Sequence, residues 1–301
     1  MKHKIVFFGS GPVAAASLDN LYNNYDVEMV ITKNRPPHHK DPAPVEVFAQ
    51  NNGLQIKFAD TKNELEEIII PLKLSSNCGI VIDYGVIISS KVINYFDKGI
   101  VNSHFSLLPE WRGADPISFA LLSGQTKTGV CLMTIDEGMD TGAIIASQSI
   151  NIDTKDTGLE LTEKLVKLSD SLINTKLPEY ILDNLKPLPQ PNKLVTYSIK
   201  LQKQDGKLDW QKPATVLERE VRTYKDWPKS RCKFGDIDLT ITNAISSDII
   251  LDEGKILITD DKKIFIGCGV GSLQILELKP AGKNNMNISA FLNGYANQIT
   301  N

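Results

Sequence analysis

The chain has 301 residues, 42% hydrophobic and 23% charged, the balance of a soluble globular protein with room for two cores. A net charge of −3 and a pI near 5.9 exclude a global basic field as the means of holding nucleic acid, but not a local basic patch. Four scattered cysteines without a C-x-x-C pair exclude a disulfide framework and a thiolate zinc site, and point to a reducing compartment.

At the start, MKHKIVFF imitates a secretory signal only loosely, because Gly9, Ser10, Gly11 and Pro12 interrupt the apolar run. No stretch approaches the roughly 20 apolar residues of a membrane span. A cytoplasmic protein with no membrane partner is expected. Residues 4–8 predict a buried strand, and Pro12 suits the first turn of a helix, where its missing N–H is no loss. Strand-like runs recur at 26–32, 54–58, 77–83 and 99–103, with helical segments at 43–52 and 61–72 between them. Further strands are predicted at 128–134 and 143–149, then a long helix over 158–185. Alternation at this spacing implies an α/β fold with a doubly wound, mostly parallel Rossmann-like sheet.

KPLPQPN at 186–192 carries three prolines and cannot continue a helix, so it reads as an extended linker. Beyond it, short apolar segments at 237–242, 247–251, 255–259, 263–268 and 272–278 alternate with Gly and Asp turns, predicting a small OB-like β-barrel. The expected division is 1–185, a linker at 186–196, and 197–301.

Polar chemistry concentrates in VNSHFSLLPEWRGADP (101–116) and IDEGMDTG (135–142). Asn102 and His104 lie two apart at a predicted strand end, so they share a face of the sheet. Active sites of open α/β sheets sit at such ends. An amide N–H and an imidazole N–H converging there can hold the oxygen of a tetrahedral intermediate, as acyl transfer requires. Asp140 is the candidate third member: a carboxylate near the imidazole would raise its pKa, set its tautomer and assist proton transfer from an attacking amine.

Two other chemistries compete on the same residues. GSGPVA (9–14) matches G-x-G-x-x-A after a strand, as in dinucleotide sites, but the second strand ends at Thr32 and Lys33 rather than an acid, and Glu28 sits mid-strand. A metal set of His104 with Asp136, Glu137 or Asp140 lacks a second nearby His or Cys. No metal is expected.

NSHFSLLPEWRGADPI and TGVCLMTIDEGMDTGAII resemble the catalytic core of the 10-formyltetrahydrofolate-dependent formyltransferases. The resemblance implies a catalytic triad of Asn102, His104 and Asp140. It also implies a folate site lined by Ser106, Leu107, Leu108, Pro109, Tyr84 and Gly85, with 10-formyltetrahydrofolate as formyl donor. TYSIKLQKQDGKLDW (196–210), DWP (226–228) and LELKPAGKNNMNISAFLNG (276–294) resemble the C-terminal barrel of the members that formylate initiator Met-tRNA. That implies a tRNA partner and a role in translation initiation; a monomer is expected. Sugar-nucleotide formyltransferases share the core and supply the alternative acceptor.

The sequence departs from the family pattern at Ser103, Glu110 and Asp83, and in the loop RPPHHKDPAP (35–44), where Arg35 and Lys40 are the candidate contacts to tRNA. A second candidate surface is the basic run at 219–233, with Arg219, Arg222, Lys225, Lys229, Arg231 and Lys233 against Glu220 and Asp226. Such an excess can neutralise phosphates.

Overall fold

The computed structural model describes residues 2–35, 41–191 and 193–299. Its contacts divide the chain into two units. The first comprises Met1–Pro116, Lys127–Asn151 and Thr162–Ile199; the second comprises Ile117–Thr126, Ile152–Leu161 and Lys200–Asn301.

In chain order, β1 (Lys4–Phe8) leads into α1 (Pro12–Asn24), which has Pro12 in its first turn. The alternation continues through β2 (Asp26–Thr32), α2 (Pro44–Asn51), β3 (Ile56–Phe58), α3 (Lys62–Ile69), β4 (Cys78–Val81), α4 (Ser90–Ile93) and β5 (Ile100–His104). Then come β6 (Arg112–Gly113), α5 (Pro116–Ser123), β7 (Lys127–Thr134), β8 (Ile144–Asn151), α6 (Gly158–Ile181) and β9 (Tyr197–Ser198). The first unit's sheet has the order β3-β2-β1-β4-β5-β7-β8. β1 to β5 pair in parallel, and β7 and β8 add antiparallel strands.

The parallel strands are near-continuous apolar runs because helices cover both faces. Val6, Phe8, Met29 and Ile31 belong to one core cluster with Leu65 and Ile69 of α3. This is the doubly wound, mostly parallel sheet expected, and β5 lies between a parallel and an antiparallel neighbour, with Asn102 opposite both Val81 and Met133. α6 stops at Ile181, short of the predicted 185, and Asp183 turns the chain in a left-handed conformation with φ of 62°.

Residues 186–191 are extended, as their alternating prolines require, and they are tied down. Leu188 exchanges two 2.8 Å backbone hydrogen bonds with Ile144. Its flanking prolines, 187 and 189, have no N–H to donate, so the pairing runs through Leu188.

The second unit holds a 3-10 turn at Lys203–Gly206, α7 (Ala214–Thr223), β10 (Ser230–Phe234), β11 (Ile237–Ser247), β12 (Ile256–Ile258), β13 (Ile264–Gly267), β14 (Ser272–Pro280), β15 (Met286–Asn287) and α8 (Ile288–Ile299). Its antiparallel sheet runs β10-β11-β14-β13-β12 with β15 on β14, a curled half-barrel. Leu217 and Val221 of α7 and Phe291 and Leu292 of α8 join the sheet residues in one core. The separate strand predicted at 247–251 does not form. β11 runs through to Ser247, with register shifts around Asn243 where the two predicted segments are divided. No helix among the described residues is long and apolar enough to cross a membrane.

Candidate active site

The site is built at the carboxyl end of β5 in the first unit. Alternation along that strand separates the side chains. Ser103 is buried on one face, where its Oγ meets Ser169 Oγ of α6 at 2.7 Å. Asn102 and His104 turn to the other face and both reach Asp140. Asn102 Nδ2 donates to Asp140 Oδ1 at 3.5 Å, a long contact, while His104 Nδ1 stands 3.7 Å from Asp140 Oδ2. The second separation is too long for a direct hydrogen bond.

Two loops complete the arrangement. The loop after β5 returns through Trp111, whose carbonyl accepts from His104 Nε2 at 2.9 Å, and through Gly113, whose N–H donates to Asp140 Oδ2 at 2.8 Å. The loop between β7 and β8 carries Asp140. Both loops contain a non-glycine residue in the left-handed region, Trp111 at φ 56° and Asp140 at φ 51°. Such conformations persist where surrounding contacts over-determine them, and they cluster at functional sites. Gly113 cannot be replaced without strain: its φ is 112°, and an added Cβ would lie 2.2 Å from the Ser198 carbonyl.

The electrostatics differ from the expectation in two respects. Burial pushes the His104 imidazole below its ordinary pKa, and this outweighs the upward pull of the Asp140 carboxylate and of the Trp111 carbonyl. The histidine is therefore neutral near pH 7. The tautomer is set by Trp111 rather than by Asp140, because a carbonyl can only accept, so the proton sits on Nε2. Nδ1 then presents a lone pair toward the Asp140 side.

Sequence reasoning missed Arg112 and Gln190, which join the two loops. Gln190 Nε2 donates to the Asp140 and Gly142 carbonyls at 2.7 and 2.8 Å, and its Oε1 accepts from Arg112 Nη2 at 2.7 Å and Nε at 3.2 Å. Arg112 was visible only as part of a Gly- and Trp-containing loop, and Gln190 only as part of a proline-rich stretch.

The residues expected to line a folate site are close in sequence to this centre, but several use their side chains internally. Ser106 is buried and donates to the Glu110 carbonyl at 2.6 Å. Leu108 packs with Cys131, Met133 and Ile144, Pro109 is buried, and Leu107 is half-buried. Tyr84 lies in the core with its hydroxyl on the Ala59 carbonyl at 3.0 Å. Gly85 is exposed, with a φ of 69° and open space where a Cβ would stand.

The glycine loop is closed differently from a dinucleotide site. The backbone N–H groups of Ser10 and Gly11 donate to the Asp83 carbonyl, and a Cβ on Gly11 would lie 1.8 Å from the Asp83 carboxylate. A negative group therefore stands where a pyrophosphate would have to approach. Glu28 is held by the N–H and hydroxyl groups of Ser75 and Ser76, which keep its pKa below the usual value although burial opposes them. Asp136 binds its own loop, through Gly138 N and Thr141 Oγ1. Among the described residues no group of three or more His, Cys, Asp and Glu could hold a metal.

The candidate tRNA contacts are mostly engaged elsewhere. Arg35 forms a bidentate pair with buried Glu46, at 2.9 Å through Nε and 2.5 Å through Nη2, and Lys40 lies outside the described residues. In the second unit Arg219 Nε donates to the Leu122 carbonyl and Arg222 Nη1 to the Asp156 carbonyl. Arg231 Nη2 donates to the Lys203 carbonyl, and Lys233 pairs with Asp238. Lys225 and Lys229 are exposed.

Matches along both halves of the chain define its class, a formyl transferase. Residues 3–177 match the formyl transferase family and residues 200–296 match the C-terminal domain of formyl transferases. The chain is 33% identical to the methionyl-tRNA formyltransferase of Myxococcus xanthus over 297 residues, covering 97% of this chain and 95% of that one. It is 36% identical to that of Methylococcus capsulatus over 257 residues, 85% and 83% of the two chains. The chain belongs to the methionyl-tRNA formyltransferase family.

Solved structures share the fold at lower identity. An N-formyltransferase from Helicobacter canadensis, in complex with folinic acid and dTDP-3-aminofucose, superposes with a TM-score of 0.68 at 19% identity over 91% of this chain and 98% of that one. The methionyl-tRNA formyltransferase of Clostridium thermocellum gives 0.53 at 16% identity over 85% and 96%.

Proposed function

We propose that the protein transfers the formyl group of 10-formyltetrahydrofolate to the α-amine of methionine on initiator Met-tRNA, giving the formylated tRNA used to begin translation. The observation that carries the reading is the convergence of Asn102, His104 and Asp140 at the end of β5, in a chain that matches the family along both halves.

The formyl oxygen gains charge as the amine attacks, and the Asn102 amide is the donor for it; it gives up its long contact to Asp140 for a stronger one. His104 takes the role its tautomer allows. Its Nδ1 lone pair accepts the proton released by the attacking amine, and the imidazolium so formed lies between the Asp140 carboxylate and the Trp111 carbonyl. This replaces the expectation that His104 acts mainly as a second oxyanion donor. The same proton then goes to N10 of the departing tetrahydrofolate. The chemistry requires neither a metal nor a covalent enzyme intermediate.

The folate is held through backbone more than side chain, because Ser106 and Tyr84 already use their hydroxyls, while Gly85 offers open backbone and Leu107 apolar contact. The exposed Lys229 and Lys225 are the side chains of the basic run that remain for phosphates. An assay with four acceptors tests the reading: charged initiator tRNA, uncharged initiator tRNA, elongator Met-tRNA and a nucleotide-linked amino sugar. Transfer confined to the charged initiator is expected. Transfer to the amino sugar without tRNA would replace the acceptor and leave the donor chemistry standing.

A further inference from the structure

We infer that Gln190 is a positioning residue for the reaction, fixing the Asp140 loop against the loop that carries Trp111 and Gly113. This role presupposes that Asp140 acts at the reacting centre, as proposed above. A side-chain amide has donors at one end and an acceptor at the other. Gln190 uses both: its NH2 holds the carbonyls of Asp140 and Gly142, and its oxygen is held by two donors of the buried Arg112 guanidinium.

The same strap is fixed on either side of Gln190. Leu188 pairs with Ile144 just beyond the Asp140 loop, while Thr196 Oγ1 accepts from Trp111 N at 2.8 Å and the Thr196 carbonyl accepts from Arg112 N at 3.0 Å. Residues 188–191 and 193–198 therefore touch both the loop that presents Asp140 and the loop that fixes the His104 proton. Asp140 is held in a left-handed conformation that an unsupported loop would relax. Loss of the Gln190 hydrogen bonds frees the Asp140 carbonyl and moves its carboxylate away from His104. Small displacements of reacting groups are costly in rate and nearly silent in binding.

The test compares wild type, Gln190→Leu, Asp140→Asn and the double variant in formyl transfer to initiator Met-tRNA. Gln190→Leu is expected to lower kcat about 10- to 100-fold, with KM for folate and tRNA changed by less than about threefold. In the Asp140→Asn background the same change should add little, because the group being positioned is gone. Gln190→Glu keeps the size and the Arg112 contact but turns an oxygen on the two carbonyls. It should keep the melting temperature near that of wild type and lose rate as Gln190→Leu does. An equal fold-loss from Gln190→Leu in both backgrounds, or a wild-type rate for Gln190→Glu, overturns the role. A wild-type rate for Asp140→Asn alone would instead remove Asp140 from the chemistry, and the positioning role with it.

Discussion

The loops around His104 and the basic run at 219–233 are both dense in polar side chains, yet the fold treats them in opposite ways. Around His104, buried and half-buried polar groups are directed at one another across two loops. In the basic run, arginines reach back to backbone carbonyls of their own unit, at Leu122, Asp156 and Lys203. The first arrangement concentrates polarity on a small volume. The second uses it to satisfy orphan carbonyls, a structural task that any long donor can perform. A charge count therefore overstates what the second unit can offer to a phosphate, whereas the motif around Asn102 identified residues that do converge.

Substitutions can break this contrast, and the largest effects belong to the first region. Asn102→Ala should lower the transfer rate about 10²- to 10³-fold, with the melting temperature little changed, as measured by single-turnover transfer. Gly113→Ala comes next, at about 10²-fold, because the new Cβ collides with the Ser198 carbonyl and displaces the N–H that holds Asp140. Asp140→Asn should also move the pH dependence. His104 must be neutral to accept a proton, so the rate falls on the acid side of its pKa, which burial already places below the ordinary 6.5. Asp140 pulls that pKa upward, so removing its charge should shift the acid limb of the kcat profile to still lower pH. A shift to higher pH would contradict the assignment.

In the second region the expected effects are smaller and separable. Arg222→Ala should cost about 1.5–3 kcal/mol in urea unfolding, through the lost bond to the Asp156 carbonyl, with little change in the salt dependence of tRNA binding. Lys229→Ala should do the reverse: stability is retained, tRNA affinity falls a few-fold, and the log–log salt slope declines by about 1. If Arg222→Ala altered the slope and Lys229→Ala did not, the division between structural and free cations would be reversed.

Asp170 supplies a control outside both regions. Burial and the neighbouring Asp19 push its carboxyl up to about 7. Its folded pKa exceeds the unfolded one, so the fold loses stability as pH rises from about 4 to 7. Asp170→Asn should raise the melting temperature by roughly 1–3 °C at pH 8 and leave it unchanged at pH 4.

Much of the fold was legible because the signals are local. Apolar strand runs separated by helix-period segments and turn residues marked β1 to β5, β7 and β8, and the alternation along 100–104 separated Asn102 and His104 from Ser103. β11 divides at 242 in the sequence because the apolar run breaks there, whereas register shifts around Asn243 keep the strand continuous. Gln190 was hidden for a different reason: two of its partners are backbone carbonyls, which carry no residue identity in a sequence, and the third, Arg112, is far away along the chain. The His104 pKa was misjudged in direction because proximity to a carboxylate is visible in a motif, while burial depends on the whole sheet. The structural bonds of Arg219 and Arg222 were equally hidden, since a carbonyl partner leaves no mark on composition.

The most direct test of the account is single-turnover formyl transfer to charged initiator Met-tRNA by a protein in which Asn102, His104 and Asp140 are all changed to alanine, with folate binding and far-UV circular dichroism measured in parallel. The account predicts a folded protein that still binds folate and transfers formyl no faster than the background reaction. Transfer near the wild-type rate would place the chemistry elsewhere in the molecule.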